Sequence, residues 1–323
     1  DLHRLIRRQR QMCIRDSLSN SHCPGGKIAL KIVGGPSSKE LAKKISMLLD
    51  VPLASVKTKR FPDGEFYFKF DEDVSEDELL IVQSLYPPQD SHVLELFSML
   101  HTARDLGVKT IKVFVPYLAY SRQDRRYLEG ECLSSGMIAE ILQNLGADAL
   151  YTIDVHNRRV LSMYKISTYN LTASGELAKY FAARDLVDPI VISPDDEEIA
   201  IERAKCAAET IDAEYDFLEK RRDRYTGEIV TYEKRINVKD RDALIIDDII
   251  STGKTAANAV RILKKQGARR VFVGVSHALL LGEAVNLLNE AGVEEIVGTD
   301  SVMNEYAKVS VAPILVKALK GEA

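Results

Sequence analysis

The sequence predicts an α/β protein of two tandem units, each a mainly parallel sheet flanked by helices, related by internal duplication. Three observations predict it. Short, nearly continuous apolar runs alternate with amphipathic stretches from residue 31 onward, and strands that are apolar on both sides belong to parallel sheets covered by helices on both faces. Blocks of the first half recur in order in the second: GVKTIKVFV (107–115) matches GARRVFVGV (267–275) at an offset of 160, and Leu79–Val82 matches Leu244–Asp247 at an offset of 165. The chain has 323 residues, enough for two domains of about 100–200 residues each.

Taken in order, KIALKIVGG (27–35) is an apolar strand closing on two glycines. SSKELAKKISMLL (37–49) offers Ser37 or Ser38 as N-cap and sets Leu41, Ile45, Leu48 and Leu49 at helical spacing. Buried strands are read at 79–82, 111–116, 149–155, 189–194, 243–247 and 271–276, and helices at 92–107, 134–146 and 256–267. KTKR (57–60) falls opposite EKRR (219–222), a third repeated block in the same order. The tail, 308–319, reads as a strand and a helix returning to the first half. The expected division is a leader over 1–30, a first domain over 31–148, a second over 149–300, and a C-terminal segment over 301–323.

Charge is uneven. Residues 1–30 carry a balance of +4 and the remainder −8, and a body this acidic argues against nucleic acid as the main partner. No run approaches the roughly 18–20 apolar residues of a membrane-spanning helix. The four cysteines, Cys13, Cys23, Cys132 and Cys206, form no CxxC pair; scattered thiols fit a reducing, cytoplasmic setting. The Arg-rich leader is expected to be non-native or disordered, with a transit peptide as the alternative.

Chemistry concentrates in ALIIDDIISTGKTAANAV (243–260). A buried strand delivers Asp247 and Asp248 at its carboxyl end, where open α/β sheets bind ligands. Ser251, Thr252, Gly253, Lys254 and Thr255 then turn into a helix, whose first amides point free N–H groups at an anion. Paired acids suit vicinal sugar hydroxyls or a metal upon them, so the segment reads as a site for a ribose phosphate. The spacing argues against a nucleoside-triphosphate P-loop, because Asp248 stands where its first glycine belongs. The ordinary alternative is a capped helix after a strand, but adjacent acids at a strand end are costly unless used.

This segment resembles the ribose 5-phosphate loop of the ribose-phosphate pyrophosphokinases (PRPP synthases), whose domains have the phosphoribosyltransferase-type fold. RFPDGE (60–65), YSRQDRR (120–126), DVH (154–156), SPD (193–195) and EKRR (219–222) follow the family's order over residues 31–323, with spacing closest to archaeal-type members. The resemblance implies transfer of diphosphate from ATP to ribose 5-phosphate, giving 5-phosphoribosyl 1-pyrophosphate and AMP, with Mg²⁺ as cofactor. It implies that Phe61, Asp63, Gly64 and Glu65 bind ATP, typically from a neighbouring subunit, so the chain is expected to be at least a dimer. By residues alone RFPDGE is simply a hairpin turn. The resemblance assigns Arg122 and Gln123 to ATP, and His156 with Asp195 to the metal; by itself His156 reads as a structural histidine, since Mg²⁺ prefers oxygen. The resemblance also implies that Lys220 and Arg222 take the cationic roles of a mobile loop, where the residues alone are equally an exposed hairpin tip. Many members have DTGGT where this chain has STGKT, so Ser251 removes an acid and Lys254 adds a charge. A phosphoribosyltransferase and a non-catalytic nucleotide-binding homologue are the competing readings.

Overall fold

The structure is a computed structural model that describes residues 30–222, 229–232 and 234–322. The leader and its two cysteines lie outside the described residues. Cys132 and Cys206 are free thiols. No helix among the described residues is long and apolar enough to cross a membrane.

Two large sheets form the frame, and every pairing within them is parallel. The first holds β1 (Leu30–Gly34), β4 (Glu78–Val82), β5 (Thr110–Val115), β6 (Ala149–Ile153) and β7 (Ser167–Leu171), in that spatial order. The second runs β15 (Ala307–Val309), β14 (Glu295–Thr299), β13 (Arg270–Ala278), β12 (Asp242–Ile250), β8 (Ile190–Ser193) and β9 (Glu214–Phe217). A parallel bridge from Ile32 to Leu53 puts a residual sixth strand beside β1, where β9 lies beside β8. The two orders therefore correspond strand for strand. Each half also carries an antiparallel ribbon: β2 (Val56–Arg60) with β3 (Phe66–Phe70), and β10 (Glu219–Arg222) with β11 (Ile229–Tyr232). KTKR and EKRR occupy the first strand of each.

The boundary expected near residue 148 is corrected by this topology. The run 149–155, read as opening the second half, pairs with β5 as β6, and β7 extends the same sheet to Leu171. A strand's sheet is set by its hydrogen-bonded neighbour, which an apolar run in the sequence does not name.

Helices α1 (Lys39–Leu49), α2 (Gln89–Asp105) and α3 (Ser134–Asn144) serve the first half, and α5 (Glu198–Thr210), α6 (Lys254–Lys265) and α7 (Ala284–Ala291) the second. The remaining two are exchanged. α4 (Ser174–Ala182) follows β7 but packs on α5, β12 and β13, while α8 (Ala312–Leu319) follows β15 but packs on α1 and β7. Phe181 of α4 rests on Phe272 with ring centroids 5.5 Å apart. One core thus runs through both halves, joining Ile32, Leu41, Leu80 and Leu315 to Phe181, Leu244 and Ile246. Alternate strand residues, Val33, Leu79 and Ile81 in one half and Ala243, Ile245 and Val273 in the other, face two outer cores. This period of two, with both faces covered, is why the strands read as continuous apolar runs.

Leu315→Ala strips a wholly buried side chain from the shared core and is expected to cost about 2–5 kcal/mol. Calorimetry should show one transition moved as a whole. Two separate transitions, only one of them shifted, would contradict a core common to both halves.

Candidate active site

β12 carries Asp247 and Asp248 to its carboxyl end, and Ser251–Gly253 turns the chain into α6. Gly253 sits at φ +74, and a Cβ there would come within 3.0 Å of the Ala284 carbonyl oxygen. Glycine is therefore required both by the backbone and by the close approach of α7. No side chain caps α6, so its first N–H groups are left to meet an anion. Asp247, Ser251, Thr252, Gly253, Lys254 and Thr255 line one recess here, with Arg122 reaching in from the first half.

A larger cleft of about 550 Å³ adjoins it, lined by Arg122, Gln123, Tyr117, His156, Asp248 and His277 among others. The two recesses share Arg122, Ile249 and Ser251. Gln123 is held by its carbonyl end, Oε1 accepting from Ser134 Oγ at 2.5 Å, which directs the amide nitrogen elsewhere. Asp124, buried behind it, accepts from Asn157 Nδ2 at 3.0 Å and ties the 120–126 loop to the turn bearing His156.

The acid pair is buried, Asp247 to 8% and Asp248 to 3% exposure. Asp248 has a partner on each oxygen: His156 Nδ1 at 2.9 Å from Oδ2 and Arg203 Nη2 at 3.1 Å from Oδ1. Burial alone would raise its pKa, but the Arg203 guanidinium and the His156 ring outweigh burial and hold the carboxyl well below the usual range. Asp247 goes the other way. Burial, then the negative charge of Asp248, push it well above the ordinary carboxylate value. Its Oδ1 accepts from the Asp248 backbone N–H at 2.9 Å.

The 154–156 turn is fixed from the second half. Asp154, at φ +37, accepts from the Ala173 N–H at 2.9 Å and from Ser276 Oγ at 2.5 Å. His277 donates from Nε2 to the Ile153 carbonyl at 3.0 Å; burial lowers its pKa and keeps the ring neutral.

The N-terminal domain of ribose phosphate pyrophosphokinase matches residues 30–146, and the phosphoribosyl synthetase-associated domain matches residues 233–318. A ribose-phosphate pyrophosphokinase of Sulfurisphaera tokodaii is 40% identical over 284 residues, 88% of this chain and 97% of that protein. The chain belongs to the ribose-phosphate pyrophosphokinase family. A family member from Saccharolobus solfataricus is also 40% identical, over 84% of this chain and 92% of its own. The crystal structure of phosphoribosylpyrophosphate synthetase from Mycobacterium smegmatis superposes with a TM-score of 0.78 at 26% identity, covering 91% of this chain and 98% of that one.

Of the family's motif residues, Arg122, Gln123, His156, Asp247, Asp248 and the 251–255 turn converge on the joined recesses. Asp195, half-buried after β8, adds its charge to the field at Asp247 and Arg203. Phe61, Asp63, Gly64 and Glu65 form the exposed tip of the β2–β3 ribbon and do not line this chain's cleft. Lys220 and Arg222 stand on β10 opposite Thr231 and Ile229; the turn beyond them, with Arg224, lies outside the described residues. Arg203 and His277 lie outside every motif quoted from the sequence. The signal for Arg203 was present, since it interrupts an otherwise alanine face at Ala200, Ala204, Ala207 and Ala208.

A carboxyl with a raised folded pKa imposes a cost that grows as pH rises above its unfolded value of about 3.9. Asp247→Asn is therefore expected to raise the melting temperature at pH 7, with the gain fading as pH falls through 4. A variant no more stable than the parent at pH 7 would show that Asp247 is comfortably ionised.

Proposed function

We infer that this chain is a ribose-phosphate pyrophosphokinase that transfers the diphosphate of ATP to the 1-hydroxyl of ribose 5-phosphate, releasing AMP. The observation that carries this reading is the pair of recesses meeting at Arg122, Ile249 and Ser251. One is an anion-holding turn beneath an acid pair; the other is large enough for a nucleotide and shares a wall with it.

In this reading the sugar's 5-phosphate lies on the α6 N-terminus, taking N–H donors and the hydroxyls of Ser251, Thr252 and Thr255, with Lys254 adding positive charge beside it. Asp247 and Asp248 take the vicinal hydroxyls and turn the 1-hydroxyl toward the shared wall. Arg122 and Gln123 hold the triphosphate and purine from the other side, so attack on the β-phosphorus runs in line across the junction. Phe61 stacks on adenine, and Asp63, Gly64 and Glu65 contact the nucleotide, from a second copy of the chain. The position of the ribbon tip outside its own chain's cleft supports that reading, in which the working unit is at least a dimer.

Among the described residues no three His, Cys, Asp or Glu side chains converge as a metal site. A hard cation such as Mg²⁺ is carried mainly by phosphate oxygens and water and takes one or two protein ligands. His156, through the ring nitrogen turned from Asp248, and Asp195 are the residues that would hold it, and when bound it neutralises phosphate charge. Lys220 and Arg222 on the second ribbon meet the negative charge that spreads over the transferring group.

A coupled assay for AMP formed from ATP and ribose 5-phosphate tests the reading directly; no AMP from the purified chain overturns it. Lys220→Ala is expected to lower turnover roughly 100- to 1,000-fold while ATP affinity changes little. Equal losses in turnover and ATP affinity would remove the transition-state role.

A further inference from the structure

Two arginines are buried to a similar degree in the second half and are used differently. Arg241, 7% exposed, spreads its guanidinium over the Asp188 and Asn237 carbonyls and the Glu214 carboxylate at 2.6–3.1 Å, a fork filled on several sides. Such a side chain fastens loops. Arg203, 6% exposed, touches Asp248 Oδ1 through Nη2 alone, and its buried Nε and Nη1 have no partner among the described residues. Leaving two donors unsatisfied is costly, so this guanidinium is not placed to satisfy itself.

Its surroundings say what it is placed for. The helix that carries it is alanine on the same face, which lets the long side chain reach the end of β12 under the acid pair. Asp154, Asp195, Asp247 and Asp248 all act on it electrostatically. It approaches Asp248 from α5 of the second half, while His156 approaches the other oxygen from the first. With both oxygens held, the carboxylate plane has no freedom to turn, whereas the neighbouring Asp247 faces the sugar recess.

We propose that Arg203 is a positioning residue for the pentose site: it locks the plane of Asp248, so that the acid pair meets the sugar hydroxyls already oriented. This rests on the reading that Asp247 and Asp248 hold ribose 5-phosphate. Its effect is therefore confined to one substrate. A lysine in its place keeps the charge but loses the planar fork.

The test is binding of ribose 5-phosphate and of ATP, each measured by calorimetry, together with the two KM values. It is run on the full-length chain and on Arg203→Lys, Arg203→Met, Asp248→Asn and the double variant Arg203→Met/Asp248→Asn. Loss of the ion pair to Asp248 predicts a roughly 10- to 100-fold weaker Kd and KM for ribose 5-phosphate in Arg203→Met. Arg203→Lys should fall between it and the parent, with ATP affinity held within about twofold in both. Since Arg203 acts through Asp248, the double variant should bind the sugar about as weakly as Asp248→Asn does alone. If Arg203→Met does not fold, the selective loss in Arg203→Lys decides. Equal weakening for both substrates, unchanged sugar binding, or full additivity in the double variant each overturns the proposal. A parent chain that binds no ribose 5-phosphate overturns the functional reading as well; a parent that binds it while Arg203→Lys and Arg203→Met do so equally well overturns the positioning role alone.

Discussion

The two sheets meet through a buried polar seam, and the site exists only because that seam holds. Ser276 Oγ reaches the Asp154 carboxylate, His277 donates to the Ile153 carbonyl, and Ser84 Oγ donates to the Ser301 carbonyl across the same junction. All six partners, on Ser84, Ile153, Asp154, Ser276, His277 and Ser301, belong to residues at most 3% exposed. A hydrogen bond away from water is expensive to leave unmade, so the halves have one relative placement in which these groups are satisfied. That placement sets His156 of one half against Asp248 of the other. The exchanged helices α4 and α8 secure it from outside the seam, because each half lacks a cover that only its partner supplies.

Within the site the electrostatics are uneven by design of position. Two adjacent carboxyls share one buried strand end, and like charges so close do not ionise equally. Arg203 and His156 take the side of Asp248, which leaves Asp247 to bear the cost. Folding alone would favour an apolar pair here, since burying two adjacent carboxyls is costly. The stability surrendered at this point is recovered in cores where whole strands are buried on both faces.

Duplication supplied the scaffold, and the halves then divided the work. In the alignment of β4 with β12, Gln83 stands where Asp248 stands. It spends its side chain on structure, accepting from Ser37 Oγ at 2.9 Å and donating to Glu95 at 2.9 Å. The YPPQD stretch after it has no counterpart of the 251–255 turn. One half thus keeps the Ser251–Thr255 turn, while the other contributes Arg122, Gln123 and His156 to the facing wall.

The sequence by itself determined the α/β class, the repeat, and the motifs that line the joined recesses. Apolar runs, the 160-residue offset, and acids beside a Ser-Thr-Gly turn are local patterns, and local patterns are written in order along the chain. Tertiary structure alone decided where the first half ends, since β6 and β7 join their sheet by hydrogen bonds to β5 and to each other. It alone exchanged α4 with α8, which depends on which apolar faces meet. It alone brought Arg203 beneath Asp248, 45 residues away in the chain. An arginine that interrupts an alanine face is visible in the sequence, but only the fold names Asp248 as the group packed against it.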